Sequence, residues 1–133
     1  MTRSRLLVVL LLPLLFMLMA FRQAALVDPD PIAIPANATS EQVAKAVRDA
    51  LVNRKWTVTE ENPGEIRSTL SLRDHKARIV ITWDRRQIHI RYVDSQNLRY
   101  EMEKGKPYIH KNYLSWINNL VGDIGSNLNL LAH

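Results

Sequence analysis

The sequence predicts a two-layer α+β fold made of a helix, a four-stranded antiparallel meander and a second helix. Three observations carry this. Val43, Val47 and Leu51 recur every fourth residue with Ala46 and Ala50 beside them, which is one apolar stripe on a helix. Between Trp56 and Val93, apolar and polar residues alternate in four runs divided by short polar connections, the pattern of half-buried strands. From Ile109 onward, Tyr113, Trp116, Ile117, Leu120, Ile124, Leu128 and Leu131 return to helical spacing. One stripe per helix and one apolar sheet face pack as two layers.

The chain opens with an address. Arg3 and Arg5 precede sixteen uncharged residues, Leu6 to Phe21, the basic head and apolar run of a secretory signal. At about 1.5 Å per residue this run spans about 24 Å of helix, short of a hydrocarbon core of about 30 Å. Pro13 weakens it further by removing a donor. Residues 1–27 therefore read as a signal peptide or an uncleaved membrane anchor, with export and cleavage favoured. Cutting after Ala20 sets Leu18, and cutting after Ala25 sets Gln23, where a small residue is wanted. An uncleaved anchor flanked by Arg22 is the alternative. Either way the expected location is the periplasm or cell envelope.

Residues 28–38 contain Pro29, Pro31 and Pro35 and read as an extended tether. Residues 39–133 form a single domain. Thr39 followed by Gln42 is a capping box, so the first helix starts there and runs to about Asn53. Trp56 to Glu60 alternates as a strand, and Asn62-Pro63-Gly64 ends it in a type II turn. Ile66, Ser68, Leu70 and Leu72 mark the second strand, Ala77, Ile79, Ile81 and Trp83 the third, and Ile88, Ile90 and Tyr92 the fourth. Arg73 to His75 and Asp84 to Arg86 are short enough to be hairpin connections. Asp94 to Pro107 is the longest irregular stretch, in which Leu98 and Tyr100 could form a short edge strand. The last helix begins near Ile109, weakened at Gly122 and Gly125 by up to about 1 kcal/mol each.

There is no cysteine, which excludes disulfides, thiolate catalysis and a lipid-modified cysteine. Counted from Asp28, 106 residues remain, enough for an independent core. Of the net charge of +5, Arg3, Arg5 and Arg22 supply three units, so the remainder carries +2 and gives no case for nucleic acid. Between Arg67 and Arg99, however, eight bases face three acids.

Strand alternation puts Arg67, Arg78, His89 and Arg91 on the sheet face away from the helices, among Thr69, Val80, Thr82 and Val93. A rigid guanidinium array suits phosphate or carboxylate groups, here anionic envelope lipid or cell-wall polymer. An arginine-rich solvated face is the plainer reading. The loop offers Asp94, Asn97, Arg99, Tyr100 and Tyr108 as a second candidate site. No catalytic set is recognisable. Ser95 has no strained glycine elbow, and adjacent Glu60 and Glu61 point to opposite faces. His75, His89, His110 and His133 lack the close spacing of metal ligands, so neither metal nor cofactor is expected. Trp56, Trp83 and Trp116 fall on apolar faces and read as core.

The run Leu51 to Ser71, the stretch Arg73 to Ala77, Ile90 to Leu98 and Ile109 to Tyr113 resemble a family of small Gram-negative envelope proteins, many of them lipoproteins. The resemblance covers roughly Ser40 to Ile124. It implies export and a single domain, and it brings no catalytic residues. Those lipoproteins carry a cysteine after the signal; this chain has Ala20, Phe21, Arg22 and Gln23 there. The expectation is a non-enzymatic accessory or binding domain of the envelope, with an envelope protein or anionic polymer as partner. Anion binding through the basic sheet face is the alternative, and an enzyme with a site in residues 94–107 ranks third.

Overall fold

The computed structural model describes residues 22–132. The apolar run Leu6–Phe21 of the expected signal or anchor, and His133, lie outside the described residues. The elements in order are β1 (Gln23–Ala25), β2 (Ile32–Ala33), α1 (Ser40–Asn53), β3 (Trp56–Asn62), β4 (Glu65–Leu72), β5 (His75–Trp83), β6 (Gln87–Gln96), β7 (Glu101–Glu103), β8 (Lys106–His110) and α2 (Lys111–Leu131). The fold is α+β with two helices and two antiparallel sheets.

The capping box starts α1 as its residues require. The Gln42 backbone N–H donates to Thr39 Oγ1 at 3.1 Å, and the Thr39 N–H to Gln42 Oε1 at 2.9 Å. Val43, Ala46, Val47, Ala50 and Leu51 are buried beneath it. The second helix packs against the first through Ile117, Leu120, Ile124 and Leu128, all buried. A fork from Arg54 to Asp123 (2.7 and 3.1 Å) and a bond from Asn127 to the Ala46 carbonyl (3.0 Å) hold the pair together. Each fully buried aliphatic side chain contributes roughly 1.5–3 kcal/mol over its exposed state.

Strands β3 to β6 follow one another as antiparallel hairpins, but the sheet they build has five strands, in the order β2-β6-β5-β4-β3. Gly64 makes the first turn at φ +74°, its carbonyl accepting the Trp83 N–H at 3.0 Å. The extra strand comes from the segment expected as a tether. Ile32 and Ala33 pair with Ile88 and Gln87, and Ile34 donates to the Arg86 carbonyl at 2.8 Å while its side chain is 9 % exposed. Prolines flank this short run without interrupting it, and an edge strand tolerates their missing donors. Residues 28–38 are therefore docked at Ile32–Ile34.

Two further expectations are corrected at the other end of the meander. The stretch Asp94 to Pro107 is not one irregular loop: β6 runs on to Gln96, and Glu101–Glu103 turns back into β8 as a hairpin. Ile109 is fully buried in β8, and α2 begins after it, with His110 as cap accepting the Asn112 N–H at 3.1 Å. Its spacing of four from Tyr113 mimicked a helix that had not yet started. The second sheet has the order β1-β8-β7. Its β1 lies inside residues 1–27: Gln23, Ala24 and Ala25 pair with His110, Ile109 and Tyr108, and Leu26 donates to the Pro107 carbonyl at 3.0 Å.

Candidate functional site

The sheet face opposite the helices carries the four residues expected to bind anions, and it carries acids beside them. Arg67 lies 3.7 Å from Glu60 and 3.8 Å from Glu65. Arg78 donates to Asp94 Oδ1 at 2.8 Å. His89 shares a 3.1 Å contact with Gln87. Arg91 is exposed and in no ion pair among the described residues. The structure thus brings Arg67, Arg78, His89 and Arg91 onto one face, while carboxylates engage two of its three arginines.

Glu65 shares the face of Arg67 by simple alternation along β4, whereas Glu60 and Asp94 reach it through irregularities that strict alternation does not show. Between Val58 and Glu60 the register with β4 shifts, so Thr59 is passed over and Glu60 comes opposite Arg67. Between Arg78 and Ile79 it shifts again: Tyr92 pairs with Ile79, Val93 is passed over, and Asp94 comes opposite Arg78. One extra residue reverses the side-chain parity beyond it. Without these bulges Glu60 and Asp94 would sit on the other face.

The loop candidates hold structure together. Asn97 adopts φ 57° and donates through Nδ2 to the Asp74 carbonyl at 2.7 Å. Its own carbonyl lies 2.7 Å from His75 Nδ1, so it ties β6 to the β4–β5 turn. Arg99, at φ 54°, accepts the Gln23 side-chain amide on its carbonyl at 2.9 Å. Tyr100 stacks on Tyr92 (centroids 5.3 Å apart), which meets Tyr113 edge-on at 5.5 Å. Tyr108, in β8, pairs with Ala25 on one side and Glu101 on the other. Burial pushes the phenols of Tyr92 and, more strongly, Tyr113 up, so neither is a base at neutral pH. Ser95 touches the Tyr92 hydroxyl at 2.7 Å, which gives it no base to activate it.

Among the clefts between elements, two have tryptophan in their walls. One of about 230 Å³ is lined by Trp56, Leu70, Leu72 and Trp116, with Arg54 and Lys55 at its rim. The other, about 320 Å³, has Trp83, Ile34 and Val43 in its wall. Trp56 is core as expected, but Trp83 and Trp116 are only half-buried, and Trp83 spends its indole N–H on Ser40 Oγ at 3.0 Å. Among the described residues no group of His, Asp and Glu could hold a metal ion, and no buried side-chain polar atom lacks a partner. No described helix is long and apolar enough to cross a membrane.

The arrangement defines a small α+β domain in which Glu60, Glu61, Glu65, Asp94 and Asp123 each meet an arginine and the Tyr113 phenol is buried. Comparison with known protein families, with curated proteins and with solved structures finds no match.

Sequence reasoning missed one constellation. Arg22, His75, Arg99 and His110 meet at one corner. Burial, then the charges of Arg99, His75 and Arg22, hold the His110 imidazole below its ordinary range. In the sequence Arg22 belongs to the leader region and the histidines are scattered. The bonds of His75 to Asn97 and of His110 to Leu98 gather three of them, the pairing of β1 with β8 adds Arg22, and no local pattern announces it.

Proposed function

We propose that this chain is a non-enzymatic accessory domain of the bacterial envelope, carried on the membrane surface by a retained Leu6–Phe21 segment. One observation carries the reading. Strand β1 begins at Gln23, two residues after the apolar run ends, and is laddered to β8. A cut after Ala25 would take that strand out of the sheet. A cut after Ala20 would leave the strand in place but has Leu18 where a small residue is wanted. Retention needs no cut. A run of about 24 Å can serve as an anchor where the bilayer thins and flanking Arg5 and Arg22 extend to the headgroups. The non-enzymatic part is supported by the engagement of Glu60, Glu65 and Asp94 with arginines. The resemblance to small Gram-negative envelope proteins points the same way.

The test is fractionation of the full chain produced in a Gram-negative host, with the N-terminus read by mass spectrometry. The expected result is an uncleaved chain in the carbonate-washed membrane pellet. A chain that begins at Phe21 in the soluble periplasmic fraction would overturn the anchored reading.

A further inference from the structure

The corner where the folded chain takes over from the apolar run is built from cationic and ionisable groups of four separate segments. Arg22 precedes β1, His75 opens β5, Arg99 lies between β6 and β7, and His110 closes β8. Backbone and amide bonds fix their positions. Lys111 donates to the Arg22 carbonyl at 2.9 Å, His110 to the Leu98 carbonyl at 2.8 Å, and the Gln23 amide to the Arg99 carbonyl at 2.9 Å. His75 is anchored on the Asn97 carbonyl at 2.7 Å.

This corner joins arginines that have no carboxylate partner among the described residues to the end of the apolar run, a position that the likewise unpaired Arg91 on the sheet face does not share. Arg48, Arg54, Arg67 and Arg78 each meet a carboxylate. Arg22 and Arg99 are exposed and make no ion pair among the described residues. The nearby acid is Asp74, 78 % exposed and 3.7 Å from His75. Like charges held together repel, so a fixed cationic corner is stabilised by an anionic surface opposite it. The identity of that surface follows from the chain. Phe21 ends the apolar run, and Arg22 is the next residue. With Leu6–Phe21 in hydrocarbon, Arg22 stands at headgroup depth, and the ladder from β1 to β8 brings Arg99 and His110 there with it.

We propose that the Arg22–Arg99 corner docks the domain onto anionic phospholipid headgroups, the two guanidinium groups clasping phosphates, with His75 and His110 beside them. This sets the first turn of α2, which follows His110, at the bilayer surface, and it rests on the anchored reading above. Guanidinium forks suit phosphate oxygens, and each basic residue at an anionic surface adds about fivefold to apparent affinity.

The chain lacks cysteine, so single cysteines can be labelled uniquely. Asn112→Cys sits exposed in the first turn of α2, and exposed Asn129→Cys lies about 26 Å further along the helix. The full chain carrying either label is reconstituted into phosphatidylcholine vesicles with or without phosphatidylglycerol, and quenching by headgroup-labelled lipid is read. The expected result is several-fold stronger quenching at position 112 when phosphatidylglycerol is present, and none at 129. High salt should reverse it, as should Arg22→Gln with Arg99→Asn, asparagine being chosen because it tolerates the positive φ of that position. Quenching at 112 that ignores both lipid charge and salt overturns the proposal, whether or not the double variant folds. Flotation separates the two readings. A chain that fails to float with pure phosphatidylcholine vesicles refutes the anchor. Docking then stands if flotation with phosphatidylglycerol persists and depends on Arg22 and Arg99, and falls if it does not.

Discussion

If the bulge at Val93 sets the charge of the sheet face, Arg78 and Asp94 are energetically coupled and a double-mutant cycle detects it. The two atoms lie 2.8 Å apart, with side chains 39 % and 55 % exposed. At that distance the bare attraction is about 1.5 kcal/mol in a fully aqueous dielectric. Ordering two long exposed side chains consumes most of it, which leaves about 0.2–1 kcal/mol of coupling. The cycle uses the parent chain, Arg78→Ser, Asp94→Asn and the double variant, unfolded in urea in mild detergent and followed by tryptophan emission. Coupling should shrink as salt rises from about 0.1 M to 1 M, because the screening length falls from about 10 Å to about 3 Å. Asp94→Asn should also free Arg78 to bind inorganic phosphate more tightly than in the parent. Zero coupling at low salt would refute the reasoning: Asp94 would then not stand opposite Arg78, and the expected arginine array would be open after all.

Three further outcomes are expected. Leu120→Ala removes a fully buried side chain between the helices and should destabilise the chain by about 2–5 kcal/mol in urea; a loss under about 1 kcal/mol would mean that α2 is not seated there. Asp84 accepts the N–H groups of Arg86 and Gln87 at 2.7 and 2.9 Å, which lowers its pKa below 3.8. The stability it contributes is present above the ordinary carboxylate value and is lost as pH falls through the lowered one. The urea-midpoint gap between parent and Asp84→Ala should therefore close in acid. His110 titrates below 6.5 in the folded chain, so stability falls as pH drops from about 6.5 through the lower folded value. Arg99→Asn should raise the His110 pKa part of the way back, since burial, the larger cause, remains. Ring-proton shifts against pH would show it, and an unchanged value would mean that Arg99 does not face the imidazole.

What was legible in the sequence follows from the range of each signal. The capping box at Thr39 and Gln42, the stripe of Val43, Val47 and Leu51, and the Pro63-Gly64 turn are local, and each is in place. The four hairpin strands were read from period-2 alternation, which holds wherever the pleat is regular. It failed at Thr59 and Val93, where one extra residue reverses parity, and those two positions bring Glu60 and Asp94 onto the arginine-bearing face. The short strands were invisible for another reason. Two or three residues such as Ile32–Ala33 or Gln23–Ala25 carry no periodicity, and their existence depends on an edge supplied from about fifty-five to eighty-five residues away in the chain.

The position of β1 changes what the N-terminal address means. A tether of eleven residues with three prolines would let a domain stand well off a bilayer and turn freely, and none of its faces would be favoured. Here the strand following the apolar run is hydrogen-bonded into a sheet, and the proline segment after it is itself docked at Ile34. Little slack remains between Phe21 and the fold, so a retained anchor would transmit its position to the domain. Which surface meets the membrane would then be set by covalent geometry before any charge acts, and the charge found there is that of Arg22 and Arg99. A sheet face on which two of three arginines meet carboxylates, and a corner beside the end of the apolar run whose two arginines do not, are the two halves of one arrangement. Glu60, Glu65 and Asp94 engage two of the three arginines on the outer sheet face, which weakens its pull on an anionic surface, while Arg22 and Arg99 keep theirs at the end of the apolar run.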